Sequence, residues 1–585
     1  MRRAPSGRAP AAADATAGAP TRPGPAGERS ATPRPWRRWP TAAAFTLAAA
    51  ALFCAYLRLS NTGAMNSDSA NVLLMGWDLL HGNLLLHGWY TADVSVYTTE
   101  LPQYALLESF LGLHPETAHV AAAMTYTLAV LLAVLLARDG TSGRTAVTRM
   151  LIAGGILVAP QLGWGTYSLD MIVDHIGTSV PLLVIWLLLD RFDGSAPCPP
   201  GTNPQALPGP PARRWWVPVL TTILLTWVLI ADPIVLVVGV APLALVGALR
   251  FIQGVWADRG TQWIQRVRAQ WYPLSLACAA GAAVLWARLA ERLLTARGGF
   301  TVHPVMIGFT PWHAWQTYFP PLWKVLQLYG ADYRGLAGAD FAFALLHLVS
   351  VALVGWAVLR VGRRFFGGIP LVDQVLAVAI LLNVVLYAVT DASTQGAHEI
   401  AIVAPFGAAL AARTLVGDAR SAYRPGLRSR PASARSSRWR LAGLAAGALV
   451  LAGYLAGLGT ELTRPAAPPD NSALASWLAA HHLTYGLAGY WQAGSVTVDS
   501  GGLVAVRALA PNSTGPYLWL TQASWYDPAS HWANFIVIDT QTSRFATWVP
   551  RATIERYAGP PARTYRTGPY IILVWDKNLL RSLPQ

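Results

Sequence analysis

Apolar residues run through this chain in blocks of roughly 20, parted by short polar stretches, and blocks of that length match a helix that crosses the hydrocarbon core of a bilayer. Eleven such spans are predicted, at about 41–59, 118–137, 150–166, 176–190, 216–231, 234–250, 271–290, 341–360, 370–390, 400–416 and 441–459. The run Leu101 to Leu113 is also apolar, but it makes only about 20 Å of helix against a core of about 30 Å. It is expected to be a helix on the outer membrane surface, with Pro102 in its first turn and His114-Pro115 ending it.

Composition agrees with the pattern: 54% of the 585 residues are hydrophobic and 12% are charged, where a soluble chain carries about 25% charged residues. The net charge of +15 would suit nucleic acid, but its distribution argues for topology instead. With the N-terminus in the cytoplasm, 29 of the 44 Lys and Arg fall on the cytoplasmic side, and the outer loops at 60–117, 167–175 and 391–399 carry none. This is the bias that orients membrane proteins, and it argues against a nucleic-acid partner. Cys54, Cys198 and Cys278 have no metal-ligand or disulfide spacing. Residues 1–40, rich in Ala, Pro, Gly and Arg, read as a disordered basic cytoplasmic arm. No small-residue cleavage site follows the arm, so it is not read as a cleavable signal.

The first outer loop is the chemically distinctive part. Within it, Asp68 through Gly82 reads as an amphipathic helix, with Leu73, Trp77 and Leu80 on one stripe and Asp68 at its beginning. Asp93 and Glu100 follow, and Glu100 stands directly before Leu101-Pro102. Asp68 is also a residue type that caps helices, and Asp93 and Glu100 could be solvated loop acids. The second outer loop holds Asp170 and Asp174, and the last one holds His398-Glu399 before a span with Pro405. Asp232-Pro233 reads as a tight turn between two spans.

An Asp just past the first span, then Asp-x-Ala-x-x-Leu-Leu and a Leu-Leu-x-Gly-Asn ending at Asn83, then an acid next to Pro and a short apolar helix, resembles the GT-C superfamily of membrane glycosyltransferases. The likeness is greatest to the branch of protein O-mannosyltransferases and lipid A aminoarabinose transferases. In layout it covers residues 41 to 416, and in residues only the first loop. Asp68 is followed by Ser69 where many mannosyltransferases have a second acid, and Glu100 by a single Pro.

The resemblance implies a sugar carried on a polyprenyl phosphate, an acceptor on the outer face, and the lipid bilayer as a partner. Asp68 is then the general base for an acceptor hydroxyl, with Glu100 as a second catalytic acid group. Asp93, Asp170, Asp174, Lys324 and His398 are substrate-binding candidates. The leaving phosphate, with a second pKa near 6, needs a cation or donors more than an acid. Lys324, His398, or one of Arg292, Arg297, His303 and Arg334 are candidate clamps, and a divalent metal ion is an alternative to them.

The expected fold is a mainly α polytopic membrane protein: a GT-C-like membrane domain over 41–460 and a small extracytoplasmic α/β domain over 465–585. In the latter, Ala473 to His481 should be helical, and Ser495 to Val498, Leu503 to Val506, Phe535 to Ile538 and Tyr570 to Val574 should be strands. A transporter or flippase is the competing reading. It requires mid-span charges and inverted repeats, which the sequence does not display. A non-catalytic relative is a third.

Overall fold

The computed structural model describes residues 39–159, 175–192, 215–257, 262–303, 307–311, 320–394, 396–416, 434–469, 471–541 and 550–584. The chain divides into two compact units, 1–48 and 49–585. Asp170 and Asp174 lie outside the described residues.

Each predicted span contains a helix. Among the described residues, 7 are long and apolar enough to cross a membrane. They lie within Trp39–Ser60, Pro115–Arg138, the stretch from Leu236 to Ala257, Trp271–Ala296, Gly338–Arg363, Leu371–Val389 and Ala434–Leu462. The other four stretches hold Gly143–Val158, Ile176–Phe192, Trp216–Ala231 and Val403–Leu415, with 16, 17, 16 and 13 residues. These fall short of the roughly 20 residues of a full crossing. Leu236–Val240 is a π-turn that leads into Ala241–Ala257, a local widening that bends the path just after Pro233.

At one end of the bundle, Arg413 is buried among the acids of three other helix ends. It bonds Asp373 Oδ1 at 2.5 Å and Asp190 Oδ1 at 2.8 Å, lies 3.2 Å from Asp139 Oδ1, and donates to the Leu136 carbonyl. Arg149 completes the group, 2.8 Å from Asp139 Oδ2. Buried charges are tolerated when paired in this way, and these fix how five helices meet.

The first loop folds as two helices, Ser67–Leu80 and Leu101–Leu111. The first is capped by Asn66, whose side chain accepts from the Ser69 amide at 2.9 Å. Asp68 is therefore not the cap but a first-turn residue inside the helix. The second exposes Leu106, Phe110 and Leu111, an apolar stripe suited to lipid. Its other face is buried, with Gly76 of the first helix so close that a Cβ there would sit 2.7 Å from Glu108 Oε2.

Strand β1 (Trp89–Thr91) pairs in parallel with β2 (Thr301–Val302) and antiparallel with β5 (Thr521–Gln522), forming a three-stranded sheet. The first loop is thus joined to the C-terminal part. That part also holds β3 (Tyr485–Ala488), β4 (Ala505–Ala508), β6 (Phe535–Asp539), β7 (Arg563–Thr567) and β8 (Tyr570–Val574), in the order β4-β3-β6-β8-β7.

Helix Ser472–Ala480 and strands β6 and β8 match expectation. The expected strand Ser495 to Val498 is instead helical, inside Tyr490–Asp499. Its β-branched alternation is overridden by packing against the Ser67–Leu80 helix. Gly494 lies at that contact, where a Cβ would come 2.4 Å from Asn71 Oδ1. The expected strand 503–506 forms two residues later, as β4.

Candidate functional site

The site is assembled from four places in the chain. The first is the start of the Ser67–Leu80 helix, which presents Asp68. Its carboxylate accepts a hydrogen bond from the Tyr490 hydroxyl, at the start of the Tyr490–Asp499 helix. Burial raises the Asp68 pKa, opposed by the Tyr490 bond and by the charge of His398.

The second is the stretch 93–100. It is stapled to the end of the Trp216–Ala231 helix: the Ser95 and Val96 amides donate to the Ala231 carbonyl at 2.8 and 3.2 Å, and the Ser95 hydroxyl to Ile230 at 2.8 Å. Val96 is held at φ 49°, a left-handed conformation that a β-branched residue adopts only under such constraint. This brings Asp93 and Glu100 beside Asp232; burial raises the pKa of both, and the Asp232 charge adds to the rise.

Glu100 is 3% exposed and neither carboxyl oxygen has a well-formed hydrogen bond among the described residues. Burial pushes its pKa up to about 8. It leans on Gly177, where a Cβ would come 1.6 Å from Glu100 Oε1. One helix turn and two helix turns further lie Tyr104 and Glu108, both buried with side-chain oxygens unpartnered among the described residues. Burial raises Glu108 to about 9.

The third and fourth are His175 and the pair His398-Glu399. His175 sits between two acids, with Nδ1 2.8 Å from Asp232 Oδ2 and Nε2 3.4 Å from Glu399 Oε2. The Thr178 hydroxyl donates to the same Asp232 oxygen at 2.5 Å. Burial alone would lower the His175 pKa, but Asp232 and Glu399 together turn the shift well upward. The imidazole is therefore charged at neutral pH. Glu399 feels the reverse: burial opposes its ionisation, yet His175 and His398 hold it well below the usual carboxylate range. His398 Nε2 lies 3.6 Å from Glu399 Oε1. Its ring fills the space over Gly396, where a Cβ would come 2.3 Å from His398 Nδ1.

Of the residues singled out in the sequence, Asp68, Asp93, Glu100 and His398 are brought into one interacting group. Lys324 has Arg334 and Asp332 as its charged neighbours, and burial lowers its pKa. Arg334 is taken up by Asp332 at 2.7 Å and by the Trp323 ring at 4.0 Å. His303 packs against Trp519, and the Arg288 guanidinium bonds Glu291. Among the described residues, no group of three or more His, Cys, Asp and Glu could hold a metal ion.

Sequence reasoning passed over His175, Asp232, Glu399 and Tyr490 as participants. Asp232 does form the turn expected of it, but it is wholly buried and hydrogen-bonded on both oxygens. An acid interrupting an apolar stretch from 216 to 250 was the available signal. Nothing in the sequence ties Tyr490 to Asp68.

No family model matches the chain, and no curated protein matches it in sequence. Solved structures do resemble it. The crystal structure of ArnT from Cupriavidus metallidurans bound to undecaprenyl phosphate is 13% identical, with 93% of this chain and 99% of that one covered at a TM-score of 0.52. The archaeal oligosaccharyltransferase AglB from Archaeoglobus fulgidus, in complex with an inhibitory peptide and a dolichol-phosphate, is 14% identical, with 90% and 71% covered at a TM-score of 0.43. The chain therefore shares the overall fold of that ArnT structure.

Proposed function

We propose that this protein is a multi-pass plasma-membrane glycosyltransferase that moves a sugar from a polyprenyl-phosphate donor to an outer-face acceptor, with Asp68 as general base. The observation that carries the reading is the convergence of Asp68, Asp93, Glu100 and His398, each picked out in the sequence, within a chain that folds like ArnT. In this reading the N-terminus is cytoplasmic and the C-terminal part extracytoplasmic. The isoprenoid stays in lipid, so the anomeric carbon is presented at headgroup height, where the first loop lies in this reading.

Asp68 takes the proton of the acceptor hydroxyl. The acceptor oxygen bonds to the anomeric carbon as the carbon–oxygen bond to phosphate breaks, and polyprenyl phosphate leaves with the electron pair. A single displacement inverts the sugar carbon. The raised pKa makes Asp68 a stronger base than a free aspartate, while the Tyr490 bond and the charge of His398 limit the rise. Glu100, protonated at neutral pH, serves as a hydrogen-bond donor to developing charge rather than as a second base. Asp93, with Asp232, His175 and Glu399, forms the charged wall beside it.

The test is sugar transfer from a labelled polyprenyl-phosphate donor. Asp68→Asn should fold and insert yet lose transfer, whereas Glu100→Gln, which still donates, should retain much of it. Normal turnover by Asp68→Asn would remove the proposed base.

A further inference from the structure

The C-terminal part contains a second polar feature that the proposed transfer does not use. Arg507, on the edge strand β4, is 8% exposed, and its Nε and Nη1 have no hydrogen-bond partner among the described residues. Its guanidinium lies 3.8 Å from the Trp525 ring centroid and 5.6 Å from that of Tyr485. Tyr485 in turn stacks on His531 at 4.7 Å and donates to the Trp525 carbonyl at 2.5 Å. The charged and titratable neighbours of the Arg507 guanidinium among the described residues are Tyr485, Tyr526 and His531, and the one nearby carboxylate, Asp527, faces His531. Buried guanidinium groups ordinarily meet a carboxylate or phosphate, because an unmet donor keeps its full desolvation cost. The half-buried Trp525 and His531 form the rim.

We propose that Arg507, with Tyr485, Trp525 and His531, binds the carboxylate or phosphate of an anionic glycan, the sugar rings stacking on the aromatic rim. This rests on the outer-face acceptor reading only for which molecule carries the anion; binding itself requires no transfer activity. A planar guanidinium matches the two oxygens of such a group, and His531 adds a second cation when protonated.

The experiment measures binding to the full-length protein in nanodiscs by calorimetry, with inorganic phosphate, trigalacturonate and neutral maltotriose as probes. At least one anion should bind, and which one does identifies the group. Maltotriose should bind at least about tenfold more weakly, and Arg507→Met should weaken the anion by a similar factor. Burial and Arg507 lower the His531 pKa, so His531→Gln, on the rim, should weaken the anion about threefold at pH 5 and leave folding intact, and the proposal remains decidable if Arg507→Met fails to fold. Failure of both anions to bind, maltotriose binding as well as they do, or anion affinity unchanged in these variants would overturn the site and leave the transferase reading untouched.

Discussion

The Tyr490 hydroxyl donates to the Asp68 carboxylate across 422 positions of the chain, with Tyr490 buried and Asp68 half-buried. The bond favours the ionised form of Asp68 and thus opposes the effect of burial. Tyr490→Phe should raise the Asp68 pKa, so the acid limb of the pH–rate profile should move to higher pH. Turnover near neutrality should fall by about tenfold, the scale of a hydrogen bond to a charged group. A purely structural tyrosine would change stability without moving that limb.

Glu108 gives a stability test. Its folded pKa of about 9 stands above the ordinary 4.5. As pH rises between those values, the unfolded chain loses a proton that the folded chain keeps, so stability falls across that window and is flat beyond it. Glu108→Gln removes the dependence. Thermal unfolding in nanodiscs at pH 5, 7 and 9 should show the variant gaining on the wild type at each step. A constant gap would mean that Glu108 is already ionised.

Gly177→Ala tests the close approach of Glu100. A Cβ 1.6 Å from the carboxyl cannot be accommodated in place, so the variant should lose about 1–3 kcal/mol and much of its transfer activity. Combining it with Glu100→Ala should recover part of the stability but not the activity.

Arg413→Met leaves Asp139, Asp190 and Asp373 without their shared cation. A loss of about 3–5 kcal/mol is expected, read as a lower unfolding temperature and poor accumulation in the membrane. A mild effect would show that the neighbouring helices relax enough to hydrate the acids.

Much of the membrane part was legible because lipid enforces a simple rule: apolar length writes the spans and basic residues mark their ends. Every predicted span holds a helix, yet four of these helices fall short of a full crossing, Val403–Leu415 the most. Asp68 was legible through its neighbours in the first loop. Tyr490, His175 and Asp232 were not, since each acquires its role from a partner 54 or more positions away. The helix Tyr490–Asp499 shows the limit of local pattern: Ser-Val-Thr-Val favours a strand in isolation, yet here it is helical and packs against the Ser67–Leu80 helix, strand β4 and the Ser472–Ala480 helix.

The three-stranded sheet sets an order of events during biosynthesis. Strand β1 emerges from the ribosome hundreds of residues before β5, and Asp68 long before the tyrosine that steadies it. A chain released before position 490 would lack both the antiparallel edge that β5 gives to β1 and the hydroxyl that Tyr490 gives to Asp68.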